Sequence, residues 1–131
     1  MPEGNEVPSD LRYSKDHEWV KIVNGVAVIG ITDHAQHELG GVTFVDLPPK
    51  GKKVAQFGEL AAVESAKAAS DIFAPVGGVV AEVNTALEDA PETVNSDPYG
   101  DGWLCRLEQV DAKELDKLMT AEQYAKYLEQ A

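Results

Sequence analysis

Cysteine is almost missing from this sequence of 131 residues, which contains only Cys105. A single cysteine excludes an internal disulfide and a zinc site built on several thiolates, and it is consistent with a reducing compartment. Long apolar runs are missing too, since no segment approaches the roughly 20 residues that cross a bilayer. The acidic first residues have the features of neither a secretory signal nor an Arg-rich transit peptide. We therefore expect a cytoplasmic protein without a membrane segment or, if the chain is a processed organellar form, a protein of the mitochondrial matrix.

Basic residues are scarce as well. Lys and Arg together number 11, whereas Asp and Glu number 23, which gives a net charge of −12 at pH 7. A chain this acidic repels the phosphate backbone of nucleic acids and also repels its own copies. The composition therefore argues against a nucleic-acid partner and favours a monomer.

The length and the hydrophobic pattern indicate one mainly β domain over residues 1–131. Short β-branched runs alternate with turn signals such as Asn24-Gly25, a dipeptide typical of two-residue hairpin turns. Between two of these runs, Thr32 or Asp33 is suited to cap a short internal helix, and Gly40-Gly41 is suited to end it. Residues 1–10 are polar and contain proline and glycine, which predicts a flexible N-terminal tail.

The last part of the chain differs in pattern from the rest. Residues 84–102 predict a long surface loop with one helical turn. Residues 111–131 predict two short amphipathic helices, each opened by a capping box. The first box pairs Asp111 with Glu114, and the second pairs Thr120 with Gln123. These elements predict a small β-sandwich or barrel that carries C-terminal helices.

One segment, residues 63–71, holds a single lysine among small residues. Lys67 has an alanine on either side, and strand-like runs lead toward it and away from it. This pattern predicts a hairpin tip whose lysine amine an enzyme could reach from all sides. Acylation of that amine would remove its charge and lengthen a flexible side chain, which could then carry a reactive group between distant active sites. The alternative is a solvated turn, because the chain has nine lysines.

The octet Glu64-Ser65-Ala66-Lys67-Ala68-Ala69-Ser70-Asp71 resembles the lipoyl-attachment segment of the glycine cleavage system H-protein family. Further collinear segments resemble the same family from about residue 11 to the C-terminal helices: Lys15-Asp16-His17-Glu18-Trp19-Val20, Gly30-Ile31-Thr32-Asp33-His34-Ala35-Gln36, Phe44-Val45-Asp46-Leu47-Pro48, Ala74-Pro75-Val76-Gly77-Gly78 and Asn95-Ser96-Asp97-Pro98-Tyr99-Gly100. The resemblance implies a barrel-sandwich hybrid fold of the lipoyl/biotinyl-carrier type, with the modified lysine on an exposed hairpin.

The resemblance also implies a function. Lys67 would carry lipoate in amide linkage, and the protein would be a non-catalytic carrier. It would take the aminomethyl group of glycine from a pyridoxal-phosphate-dependent glycine dehydrogenase (decarboxylating) to a tetrahydrofolate-dependent aminomethyltransferase. A dihydrolipoamide dehydrogenase would then reoxidise the arm, and lipoate-attaching enzymes would install it. The acids that match the family's arm cleft are Glu18, Asp71 and Asp16, of which Asp16 stands where other members can have Ser.

Other interpretations of the same residues stay open. His34 and His37 are three residues apart, so they can share one helix face and suggest a metal site, but the segment lacks the His-Glu-x-x-His pattern and a third distant ligand. The simpler interpretation places both histidines on the exposed side of a short helix. Lipoyl domains of 2-oxoacid dehydrogenases and biotin carriers flank their lysine with Asp or Met instead of Ala66 and Ala68. A lipoyl-relay carrier and an unmodified interaction module of the same fold are the remaining alternatives.

Overall fold

The computed structural model describes residues 6–130 of the chain. This part contains nine β-strands, four α-helices and one 3-10 helix. The strands are β1 (Arg12–Tyr13), β2 (Glu18–Val23), β3 (Val26–Ile31), β4 (Val42–Asp46), β5 (Lys53–Val54), β6 (Glu59–Ser65), β7 (Ala69–Phe73), β8 (Gly78–Val83) and β9 (Cys105–Glu108). The helices are α1 (Asp33–Leu39), α2 (Ala86–Asp89), α3 (Thr93–Ser96) and α4 (Ala121–Gln130), with the 3-10 helix at Ala112–Lys117.

The strands form two antiparallel sheets that pack like a sandwich. The larger sheet has the order β1-β2-β3-β9-β8-β5, and the smaller has the order β4-β6-β7. One core cluster joins Val20, Ile29 and Leu107 of the larger sheet to Leu60 of the smaller one. The predicted mainly β fold, with a short internal helix and C-terminal helices, is therefore confirmed.

Local sequence signals account for the path of the chain around α1. Asn24 and Gly25 both adopt positive φ angles, 52° and 79°, as the hairpin turn between β2 and β3 requires. The Thr32 side chain accepts a hydrogen bond from the backbone N–H of Ala35 and so caps α1. Gly40 ends the helix at φ 76°. The predicted start and end of the internal helix are thus correct.

The C-terminal segment follows the prediction less closely. Thr120 and Gln123 form the reciprocal capping box that opens α4. The Asp111 side chain instead accepts a hydrogen bond from the Lys113 N–H, while the Glu114 carboxylate accepts one from the Gly77 N–H at 2.8 Å. Because a tertiary contact takes Glu114, the first box does not form, and the first predicted helix is a 3-10 helix. The loop at residues 84–102 contains two helical turns, α2 and α3, where the sequence predicts one.

The predicted tail at residues 1–10 lies partly outside the described residues. Its described part, residues 6–10, makes specific hydrogen bonds. The Glu6 N–H donates to Asp33 Oδ2 at 3.0 Å, and the Tyr99 hydroxyl donates to the Glu6 carbonyl at 2.6 Å. The Tyr13 hydroxyl donates to the Pro8 carbonyl at 2.5 Å. These contacts attach residues 6–10 to the N-terminal end of α1 and to β1.

Gly30 provides a stability test of the packing between β2 and β3. It pairs with Trp19, and a Cβ atom at position 30 would lie 2.7 Å from three atoms of the buried indole. We expect Gly30→Ala to lower the free energy of unfolding by about 2 kcal/mol, because overpacking displaces a ring that cannot move freely. Gly41→Ala is the matched control, since a Cβ there would meet no atom within 4 Å. Urea denaturation of both variants checks this; equal stabilities would contradict the packing argument.

Candidate functional site

Lys67 lies at the tip of the hairpin that joins β6 and β7. The turn is held by Ser65, whose backbone N–H donates to the Ala68 carbonyl at 2.8 Å and whose hydroxyl accepts from the Ala68 N–H at 3.1 Å. The same hydroxyl donates to the carbonyl of Leu39, the last residue of α1, at 2.5 Å. Two alanines flank the lysine, and all three side chains are exposed. The hairpin thus presents one amine at a tip that is fixed to α1.

The Lys67 side chain rests on glycine rather than on a polar partner. Its Cε atom lies 3.2 Å from the position that a Cβ of Gly40 would occupy. Lys67 forms no hydrogen bond or ion pair with the other residues between 6 and 130. Asn95 holds Gly40 in place, because its amide donates to the Gly40 carbonyl at 2.8 Å and its Oδ1 accepts from the Val42 N–H at 2.8 Å. The lysine amine is therefore accessible for modification.

A cleft of about 260 Å³ begins beside the lysine, between the hairpin and α1; we call it the hairpin cleft. Its lining combines aliphatic side chains with polar ones. The aliphatic part consists of Ile31, Ala35, Leu39, Ala68, Ala69 and Ile72. The polar part consists of Asp16, His17, His34, Glu38 and Ser70. A slim apolar chain that carries a polar or charged group matches this mixed lining.

The structure separates the three acids that the sequence singles out. Asp16 is exposed and lines the hairpin cleft. Glu18 is only 1% exposed, and its carboxylate accepts hydrogen bonds from the Ser14 hydroxyl and the Phe73 N–H. Asp71 is exposed on β7 and lines a different cavity, of about 220 Å³. Only Asp16 is therefore part of the cleft beside Lys67, and the arm contacts stay predictions.

Burial dominates the electrostatics of Glu18. No cation lies against its carboxylate among the described residues, and burial raises its pKa to about 7, although hydrogen bonds from Ser14 and Phe73 oppose the shift. This buried group joins β2 to β7, the strand that leads away from the lysine. In this structure Glu18 therefore helps to hold the hairpin strand β7 in place and does not form part of the cleft surface.

The cleft contains two histidines whose role the sequence does not reveal. The rings of His17 and His34 lie 4.5 Å apart, centroid to centroid. The prediction that His34 lies on the exposed side of its helix is wrong, because it is half-buried in the cleft wall, whereas His37 is exposed and pairs with Asp33 at 3.5 Å. The two helix histidines thus point to different partners. Residues 6–130 contain no group of three or more His, Cys, Asp or Glu side chains placed to hold a metal ion.

Comparison with known proteins decides the family. The family model described as "Glycine cleavage H-protein" matches residues 11–131. The chain belongs to the glycine cleavage H-protein family. Its relatives include the glycine cleavage system H protein of Alcanivorax borkumensis, 52% identical over 92% of this chain and 94% of that protein. That of Halothermothrix orenii is 48% identical over 95% of this chain and 97% of that protein.

A solved structure agrees with this assignment. The crystal structure of a glycine cleavage system H protein from Mycobacterium marinum matches with a TM-score of 0.86 and 38% sequence identity, covering 94% of this chain and 99% of that one. The predicted resemblance is therefore confirmed, and with it the role of lipoyl carrier protein in the glycine cleavage system. The family works with the other enzymes of that system. No helix in the described range is both long and apolar enough to cross a membrane.

Proposed function

We propose that Lys67 is the residue that carries lipoate, in amide linkage to its side-chain amine. The observation that carries this proposal is the exposed amine at a hairpin tip, free of polar partners among residues 6–130 and adjacent to a cleft. Ala66 and Ala68 leave the amine uncovered on both sides, so a lipoate-attaching enzyme can reach it. Gly40 adds to this access, because a larger residue there would press against the lysine stem.

The hairpin cleft suits the lipoyl arm in both shape and chemistry. Ile31, Leu39 and Ile72 offer an apolar wall to an aliphatic chain. A bound lipoyl group supplies a disulfide and dithiol couple that exchanges two electrons and can carry a carbon substituent on one sulfur. Asp16 and Glu38, at the polar part of the cleft, can attract an ammonium group at the end of the arm. The aliphatic wall excludes water from whatever lies against it.

The proposal includes the partners and excludes catalysis by the chain itself. We infer that it passes the aminomethyl group of glycine from glycine dehydrogenase (decarboxylating) to aminomethyltransferase, and that dihydrolipoamide dehydrogenase then restores the arm. The chain acts as a non-catalytic carrier and most simply as a monomer, since a net charge of −12 opposes self-association. Its bacterial relatives support a cytoplasmic location. Glu18 and Asp71 remain proposed arm contacts; because neither lines the hairpin cleft, each would contact the arm only after its side chain moved or with the arm outside the cleft.

An intact mass spectrum, followed by peptide mapping, tests the modified lysine. The protein is expressed in cells that are supplied with lipoate and that contain a lipoate-attaching enzyme. We expect one lipoyl adduct, located on the peptide that contains Lys67 and absent in Lys67→Arg. A biotin adduct would instead assign the chain to the carboxylase carriers. An unmodified Lys67 in such cells would reject the proposal and favour an interaction module of the same fold.

A further inference from the structure

The C-terminal helix α4 places one buried hydroxyl next to His17, a residue of the hairpin cleft wall. The hydroxyl of Tyr124, on α4, lies 2.8 Å from His17 Nδ1 and 2.8 Å from Thr32 Oγ1. The Tyr124 ring is fully buried and stacks on Tyr13 with 4.6 Å between centroids. Because Thr32 caps α1 and His17 lines the cleft, Tyr124 connects α4 to the start of α1 and to one residue of the cleft wall.

His17 itself is held in an uncommon backbone conformation. Its φ of 70° lies in the left-handed region, which a non-glycine residue occupies only where its surroundings compensate for the cost. Its N–H donates to the Ser14 carbonyl at 3.2 Å, and its carbonyl accepts from the Thr32 N–H at 3.0 Å. The hydrogen bond with Tyr124 then fixes the ring, which also contacts His34. Backbone hydrogen bonds thus hold the main chain of His17, while Tyr124 and His34 contact its ring.

Titratable groups face His17 from several elements of the fold. His34 and Glu38 face it from α1, Asp16 from its own turn, and Tyr124 and Tyr127 from α4. Burial and then His34 lower the pKa of His17, whereas Asp16 and Glu38 raise it by less. The lowered pKa favours the uncharged imidazole, which does not repel an ammonium group carried into the cleft.

We propose that Tyr124 is a positioning residue of the hairpin cleft. Its hydroxyl orients the His17 imidazole, which forms part of the cleft wall. Through this contact, the C-terminal helix α4 controls how well the cleft shelters the lipoyl arm. This inference rests on the proposed function, since it requires an arm on Lys67. Tyr124 does not line the cleft, and its effect on the cleft wall comes from its hydrogen bond with His17, not from the one with Thr32.

The test measures the reduction of the lipoyl disulfide by a water-soluble phosphine, in the lipoylated protein and without partner enzymes. Tyr124→Phe keeps the ring that stacks on Tyr13 and removes only the hydroxyl. We expect it to increase the reduction rate about fivefold, which is the factor that corresponds to the net free energy of one ordinary hydrogen bond. His17→Asn, which tolerates the left-handed backbone, should raise the rate similarly. In the His17→Asn background, Tyr124→Phe should have no further effect.

Tyr127→Phe is the matched control, because it also removes a hydroxyl from α4. That hydroxyl donates to the Lys15 carbonyl and not to His17. The reduction rate of this variant should equal that of the unsubstituted protein. A Tyr124→Phe rate equal to that of the control would overturn the inference. An equal acceleration by Tyr124→Phe with or without His17 would also overturn it, because α4 would then act through Thr32 or through packing and not through His17. A missing lipoyl adduct in the mass spectrum rejects the proposed function, and this inference with it, whereas the kinetic outcomes concern the inference alone.

Discussion

Lys67→Arg should abolish the contribution of this chain to glycine cleavage. Arginine keeps the positive charge and a long stem, but its guanidinium does not accept lipoate in place of the lysine amine. Without a tether, the reactive group loses the high effective concentration that it has at each partner enzyme. We therefore expect glycine-dependent release of carbon dioxide, in a system reconstituted with the three partner enzymes, to fall by at least about 10²-fold.

Lys113→Arg is the matched control for this loss. Lys113 is exposed in the 3-10 helix, far along the chain from the hairpin. Its substitution replaces the same functional group without touching the hairpin tip. The rate of carbon dioxide release should therefore stay within about twofold, which is roughly the effect of an ordinary surface substitution. A Lys67→Arg protein that still supported turnover near the rate of the control would place the modified residue elsewhere in the chain.

Glu18→Gln should remove most of a pH dependence of stability that this buried carboxyl creates. The unfolded chain releases the Glu18 proton near pH 4.5, whereas the folded protein retains it up to about pH 7. A raised folded-state pKa therefore stabilises the protein fully below pH 4.5, and this contribution is lost as the pH rises through 7. At about 1.4 kcal/mol for each pKa unit, the loss is about 3 kcal/mol.

Urea unfolding at several pH values from about 3.5 to about 8 measures this difference, because that range extends roughly one unit beyond both pKa values. Glutamine is nearly isosteric and can still accept from the Phe73 N–H, so Glu18→Gln should match the original protein at the acidic end and exceed its stability above pH 7. Glu59→Gln, which alters an exposed carboxylate on β6, is the control and should change stability little at any pH. Parallel pH curves for the Glu18→Gln and unsubstituted proteins would show that Glu18 is not a buried acid of this kind.

Glu18 shows how much of the position of an acidic side chain can be predicted from the sequence. Its neighbourhood identifies the family, and the resemblance assigns it to the arm cleft. In the structure its carboxylate is buried between β2 and β7, while Asp16, two residues earlier, is exposed at the cleft. Both acids lie on the same side of an extended chain by simple alternation, but His17 interrupts the alternation with its positive φ. This change in backbone direction separates the two acids, and no residue type in the segment predicts it.

The hairpin that carries Lys67 shows the opposite case. Two β-forming runs separated by small residues predict β6 and β7, and the structure places them at Glu59–Ser65 and Ala69–Phe73. The turn is closed by Ser65 and Ala68, three residues apart, so its geometry depends on contacts within a few residues. The same locality explains why Asn24-Gly25 and the Thr32 cap are predicted correctly.

The sequence alone determined the mainly β architecture, the local turns and caps, the family and the lysine at the hairpin tip, because these depend on residues close together in the chain or on collinear motifs. Only the tertiary structure decided what surrounds that lysine. His17 and Tyr124 are 107 residues apart, and Phe73 lies 55 residues from Glu18. Contacts over such separations form only when the two sheets and α4 pack together, and hydrophobic burial drives that packing without specifying individual polar partners.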